Sequence, residues 1–243
     1  LSYGWQATPM ALDIAAIQAI YGANTTYANG SNTYTLPSYN AAGTYWSCIW
    51  DTGGTDLITN AGSSIGAIIN LTAAPLTGAN AGGYVSYAAG IVGGFTIAYG
   101  VVIENATGGS GNDAITGNSA ANTLIGGGGT DILNGGAGGD TITGGDGTDT
   151  AVFSGTLASA TITYNSLTAQ FTIVSGDGTD ILSQVEYFQF SNATVAASSY
   201  MVDETAPTVT ISDDISGTAT SAITYSLVFS ESVTGLSAGD FAV

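Results

Sequence analysis

The residues best suited to chemistry in this 243-residue chain are aspartates set among glycines at a fixed interval. Asp113, Asp131 and Asp149 lie eighteen residues apart, and Asn122 and Asp140 repeat that interval half a period out of step. Each closes a six-residue turn of the form Gly-Gly-x-Gly-x-Asp, whole in 108–113, 126–131, 135–140 and 144–149 and eroded in 117–122. Glycine reaches backbone conformations closed to other residues, so several carbonyls of one short turn can face a single centre. Aspartate adds a hard anionic oxygen. Calcium takes six to eight such oxygens at about 2.3–2.6 Å with tolerant geometry. Zinc and copper favour nitrogen or sulfur, and the chain has no histidine and a single cysteine, Cys48. The chemistry open to these residues is the capture of several calcium ions.

Turns eighteen residues apart should stack, with each ion held by carbonyls of two successive turns and by their acidic side chains. The expected ligands are Gly108, Ser110 and Asp113; Asn122; Gly126, Gly128 and Asp131; Gly135, Ala137 and Asp140; and Gly144, Asp146 and Asp149. Asp113, Asp131 and Asp149 would line one edge, Asn122 and Asp140 the other. The second edge should bind less tightly, because Asn122 brings an uncharged oxygen and its turn lacks two of the usual glycines.

The elements that position these turns are short strands. Each turn is followed by three residues, the middle one large and apolar in Ile115, Leu124, Leu133 and Ile142. Nine residues make one turn and one strand, eighteen make a full coil, and the product is a parallel β-roll with the apolar residues facing inward. A three-residue strand buries little by itself, so folding should be coupled to metal. The expected fold class is all-β: a parallel β-roll over 106–152 with an N-terminal helix, flanking β-sandwich-like segments and a truncated immunoglobulin-like sandwich. The helix falls within 1–24, opened by Thr8 as cap and Pro9, carrying Met10, Ile14, Ile17 and Tyr21 on one stripe and ended by Gly22. Residues 25–105 alternate β runs with turns, 153–202 form a β cap, and 203–243 read as the start of another β domain after Pro207.

Charge agrees with this chemistry. Eighteen acidic residues stand against no Lys, Arg or His, a net charge of −18. Such a chain repels itself on compaction, and bound divalent cations are the means to reverse that. Nucleic acid, which is bound through Lys and Arg, is excluded as a partner, as is an anionic membrane surface. Membrane insertion is excluded too, since no stretch reaches the roughly 18 apolar residues a span needs. The first residues show neither a charged nor an apolar region of a cleavable signal. No protein or carbohydrate partner can be named from the sequence.

The nonapeptides of 108–152 resemble the calcium-binding repeats of RTX proteins. Residues 8–24, Thr-Pro-Met-Ala-Leu-Asp-Ile-Ala-Ala-Ile-Gln-Ala-Ile-Tyr-Gly-Ala-Asn, closely resemble the last catalytic-domain helix of serralysin-type secreted metalloproteases. Trp50-Asp51-Thr52-Gly53-Gly54-Thr55-Asp56 and the run from Ile103 to Asp113 look like the segments that lead into that family's roll. The resemblance implies further calcium ligands at Asp51, Gly53, Asp56 and Glu104, an extracellular or cell-surface location, and export by a type I secretion apparatus. The family's His-Glu-x-x-His zinc helix has no counterpart here, since histidine is absent; the chain is non-catalytic as given. The expected parent is a serralysin-like zinc metalloprotease cut after its histidines. The alternative is a large surface adhesin that reuses the module, favoured by the likeness of 203–211 and 229–235 to bacterial immunoglobulin-like repeats. Residues 177–190 resemble a module that trails RTX arrays, which raises an added calcium at Asp177 and Asp180.

Overall fold

The computed structural model describes residues 6–201, 208–213 and 225–230. The helix, α1, spans Ala11–Tyr21. Its N-terminus is capped from within: the Asp13 carboxylate accepts the Met10 N–H at 3.0 Å. Gly22, at φ +81°, closes the other end by donating to the Gln18 carbonyl. Thr8 is not the cap. Its hydroxyl oxygen accepts the Cys48 N–H at 2.9 Å and so ties the approach to the helix onto a strand. Ala11 is buried and Met10 and Ile14 pack on the core, whereas Ile17 and Tyr21 are exposed, so the stripe docks only through its first half.

Six short strands follow: β1 (Thr33–Thr35), β2 (Trp46–Ile49), β3 (Leu57–Thr59), β4 (Ala67–Asn70), β5 (Tyr87–Ala88) and β6 (Gly94–Ile97). The run 101–103, expected as a strand, is irregular, with Val101 and Ile103 buried and Val102 exposed. The repeats contribute β7 (Asn105–Thr107), β8 (Ala114–Thr116), β9 (Thr123–Gly129), β10 (Ile132–Asn134), β11 (Thr141–Gly147) and β12 (Thr150–Val152). β9 and β11 exceed the expected three residues because their glycine turns are themselves paired, Gly127 with Gly145 through Gly129 with Gly147. Then come β13 (Thr161–Asn165), β14 (Gln170–Val174), β15 (Thr179–Ser183), β16 (Tyr187–Phe190) and β17 (Ala193–Ala196).

Two sheets are built from these strands. One runs β1-β3-β7-β9-β11-β15-β14-β13, parallel as far as β15 and antiparallel beyond it; the other runs β5-β4-β8-β10-β12-β16-β17, parallel from β4 to β16 and antiparallel at both ends. The chain alternates between them, β3 to β4, β7 to β8, β9 to β10, β11 to β12 and β15 to β16, which is the path of a parallel β-roll. The flanking segments are layered like a sandwich through these same two sheets, so the roll extends on both sides of the repeats. β2 and β6 form a separate parallel pair.

Register explains the core. Ile58, Ala106, Leu124, Ile142 and Leu182 stand opposite one another along the first sheet. Ile69, Ile115, Leu133, Ala151 and Phe188 do so along the second. None of the ten is more than 1% exposed. At roughly 1.5–3 kcal/mol for each large apolar side chain removed from water, these ladders are the main apolar support of the coils. Phe171 of the β13–β14 hairpin adds an edge-on contact to Phe188, with ring centroids 5.0 Å apart.

A separate compact unit, Val202–Val243, contains an antiparallel pair, β18 (Val209–Asp213) with β19 (Tyr225–Phe229). The remainder of the expected immunoglobulin-like unit lies outside the described residues. Among the described residues no helix is long and apolar enough to cross a membrane.

Candidate metal centre

Strand register brings the acidic residues into two columns, one at each edge of the roll. In the first, the Asp113 N–H donates to Asp131 Oδ1 at 2.7 Å and the Asp131 N–H to Asp149 Oδ1 at 2.9 Å. In the second, the Asn122 N–H donates to Asp140 Oδ1 at 2.8 Å. One oxygen of each carboxylate thus fastens its coil to the one before. The other oxygen, Oδ2, of Asp131, Asp140 and Asp149 is buried without a hydrogen-bond partner. A charged oxygen out of water and unpaired is strongly destabilising, and a cation or a proton at these atoms would relieve that cost.

Asp113 Oδ2 accepts the Gly109 N–H at 2.7 Å and Asn122 Oδ1 the Asn118 N–H at 2.8 Å; around the side-chain oxygens of all these turns lie other oxygens. A methyl group placed on Gly126 would overlap Asp131 Oδ2 and lie 2.6 Å from the Gly144 carbonyl. On Gly108 it would overlap Asp113 Oδ2 and the Gly126 carbonyl, and on Gly117 Asn122 Oδ1 and the Gly135 carbonyl. The side-chain oxygen of one turn and the first-position carbonyl of the next therefore converge on one spot, at both edges. Gly127, at φ +108°, is needed at the second position, where any side chain would strike the Gly109 carbonyl of the stacked turn. The third position is open, with nothing within 3.7 Å of an added methyl on Gly128. Ser110, Ala137 and Asp146 occupy it with exposed side chains. The Asp146 carboxylate is therefore outside the column, and only its main chain lies in the turn stack.

Electrostatics follow from burial. Asp131 is pushed up to about 6 by desolvation and then by the Asp149 and Asp113 charges. Asp113, Asp140 and Asp149 are raised from the usual carboxylate range, again mainly by burial. Among the described residues no three acidic or thiol side chains converge; each turn offers one or two carboxylates and several carbonyls, a donor set that suits calcium.

The residues implied by family resemblance extend the second column. The Asn32 N–H donates to Asp56 Oδ1 at 2.7 Å and the Asp56 N–H to Glu104 Oε2 at 2.8 Å. Asp56 Oδ2 is buried and unpaired, and its carboxyl is raised by burial and then by the Asp51 and Glu104 charges. Asp51 is already engaged by the Tyr34 hydroxyl at 2.6 Å and the Gly53 N–H at 3.0 Å. Asn60, not anticipated, is buried with an unpaired Oδ1. It stands beside Asp113, whose carboxyl it helps to hold down. No repeat spacing points to it, because the 60–66 turn departs from the nonapeptide frame.

The sequence model of the peptidase M10 serralysin C-terminal family matches residues 11–235. A serralysin of Photorhabdus laumondii subsp. laumondii is 43% identical over 128 residues, covering 48% of this chain and 24% of that protein. Metallopeptidase AprA of Pseudomonas marginalis is 42% identical over 123 residues, 46% of this chain and 24% of the relative. Serralysin C of Dickeya chrysanthemi is 43% identical over 116 residues, 44% and 22% of the two chains. The chain thus spans about a quarter of the length of the curated relatives it matches.

Proposed function

This chain belongs to the peptidase M10 serralysin C-terminal family, and from that premise we propose that it is a calcium-folded, non-catalytic module of a secreted zinc metalloprotease. One observation carries the calcium reading within the repeats: the buried, unpaired Oδ2 atom of Asp131, which lies near the same point as the first-position carbonyl of Gly144 in the stacked turn. Asp113, Asn122, Asp131, Asp140 and Asp149, with carbonyls of residues 108, 110, 126, 128, 135, 137, 144 and 146, would hold the ions of the repeats. Asp51, Gly53, Asp56 and Glu104 would hold ions where the chain enters the roll. Bound calcium supplies positive charge to a chain that has no cationic side chain.

The proposed consequence is directional folding. At low cytosolic calcium the acidic columns repel and the short strands cannot close; at about millimolar calcium, the range served by extracellular calcium modules, the coils assemble after export. A type I secretion apparatus is the proposed export partner. Proteolysis is proposed for the parent protein alone, through a zinc site that this histidine-free stretch does not contain.

Titration of metal-free protein with calcium, followed by calorimetry and circular dichroism, tests the reading. A cooperative gain of β signal with at least two ions bound, absent with magnesium, is the expected result. No heat and no spectral change would overturn it.

A further inference from the structure

The nonapeptide array stops at Val152 in the sequence, yet both acidic columns continue beyond it. Residues 175–183, Ser-Gly-Asp-Gly-Thr-Asp-Ile-Leu-Ser, keep the frame of Gly126–Asn134 position by position, with serine for the first glycine. Residues 153–174, which include the β13–β14 hairpin, separate this unit from the last repeat. The fold ignores the interruption. Thr141–Thr143 pairs with Ile181–Ser183, which sets Asp180 beside Asp140, and Asp180 Oδ1 accepts the Asp140 N–H at 2.8 Å. Asp140 holds the Asn122 N–H in the same way. Gly178, at φ +149°, stacks on Gly138, at φ +130°, as the fourth glycines of the true repeats stack on each other.

On the other edge the last turn shrinks to Gln184-Val185-Glu186. Thr150–Val152 pairs with Tyr187–Gln189, so Glu186 stands where the next aspartate would be. Its longer side chain spans the shortened turn, and Oε2 accepts the Asp149 N–H at 2.7 Å. The Gln184 carbonyl replaces that of a first glycine: a methyl on Gly144 would overlap it and lie 2.6 Å from Asp149 Oδ2. The free oxygens at these two junctions, Asp140 Oδ2 and Asp149 Oδ2, belong to residues 1% and 0% exposed and have no partner.

We propose that residues 175–190 form a displaced terminal coil of the roll, pinned by two further calcium ions, one between Asp140 and Asp180 and one among Asp149, the Gln184 carbonyl and Glu186. This rests on the reading that the nonapeptide turns bind calcium, and it assigns ligands outside the repeats. The ions would add to the strand pairing and hydrogen bonds that already join these coils across the hairpin.

The test uses the whole chain and counts bound calcium by equilibrium dialysis in wild type, Asp180→Asn, Glu186→Gln and, as a control within the repeats, Asp131→Asn. An amide keeps the acceptor oxygen that holds the N–H of the preceding coil, and Asn122 shows that such a side chain fits these columns. Each terminal variant is expected to lose about one ion per chain while keeping wild-type β circular dichroism. Hydrogen exchange across 175–190 should accelerate in the same variants. Unchanged calcium counts in both terminal variants, alongside a reduced count in Asp131→Asn, would overturn the terminal sites and leave the repeat sites standing. Absence of calcium binding in wild type would overturn both.

Discussion

Each turn aspartate divides its two oxygens between two tasks. Oδ1 of Asp113, Asp131, Asp140 and Asp149 holds a backbone N–H of the preceding coil, and Oδ2 of the last three is buried without a partner, whereas Asp113 Oδ2 accepts the Gly109 N–H at 2.7 Å. Asn122 shows what happens when the charge is missing. Its oxygen accepts the Asn118 N–H at 2.8 Å, as Asp113 Oδ2 accepts the Gly109 N–H, and its amide nitrogen donates to the Glu104 carbonyl at 3.0 Å, so the site keeps its shape without the anionic donor. The raised carboxyls give the metal-free protein a defined pH response. Asp131 and Asp180 sit at about 6 when folded, above their ordinary value of 3.8. An acid whose folded pKa is raised stabilises the fold fully below the unfolded value and loses that contribution as pH rises through the folded one. EDTA-treated protein should therefore gain β circular dichroism on acidification from pH 7.5 to 4.5, with protons partly replacing calcium. In calcium the trend reverses, because ligands must be deprotonated to bind. A metal-free protein whose β signal falls or stays flat over that range would refute the assignment.

At the scale of the element, a three-residue strand is held by its two neighbours and by one inward side chain. Leu133, fully buried between Ile115 and Ala151, is the test case. Leu133→Ala in the calcium-loaded protein should destabilise by about 2–5 kcal/mol, the range for emptying a packed site of this size. Chemical denaturation monitored by circular dichroism would measure it, and a loss below about 1 kcal/mol would mean that the ions alone hold the coil. The repeats' strands, their inward residues and both acidic columns were legible in the sequence, because period nine fixes turn, strand and face together. Where the period is broken in sequence and restored in space, the stretch 177–190 was readable as a trailing module with a candidate calcium at Asp177 and Asp180, but not as a further coil in register with the repeats. Ser175–Ser183 keeps the frame but sits behind an inserted hairpin, and Glu186 serves a turn of three residues instead of six. The helix was legible in place but not in its cap, since a strand partner, the Cys48 N–H, takes the Thr8 hydroxyl, and Asp13 of the first turn reaches back to the Met10 N–H instead. Asp146 was expected as a ligand at the third position of its turn, the place of Ser110, Gly128 and Ala137; its side chain is exposed there, which leaves its carbonyl as the donor proposed above.

At the scale of the whole molecule, a charge of −18 with no internal cation makes compaction depend on what the solvent supplies. Metal-free protein at neutral pH should contract as sodium chloride is raised from about 0.01 to 1 M, since the screening length falls from roughly 30 to 3 Å. Calcium should produce a larger contraction at far lower concentration, because it binds between specific turns. Small-angle scattering gives the radius of gyration in both series, and equal contraction at equal ionic strength would show that calcium acts only as a screening ion. The strand order carries a further consequence. A stack of identical parallel coils has no built-in last member, and its open ends are templates for another copy. Here three of the four sheet ends, at β5, β13 and β17, are antiparallel strands, and the fourth, β1, is three residues long. Strands of reversed direction cannot continue the parallel coil at those three ends, and the shortness of β1 leaves little template at the fourth.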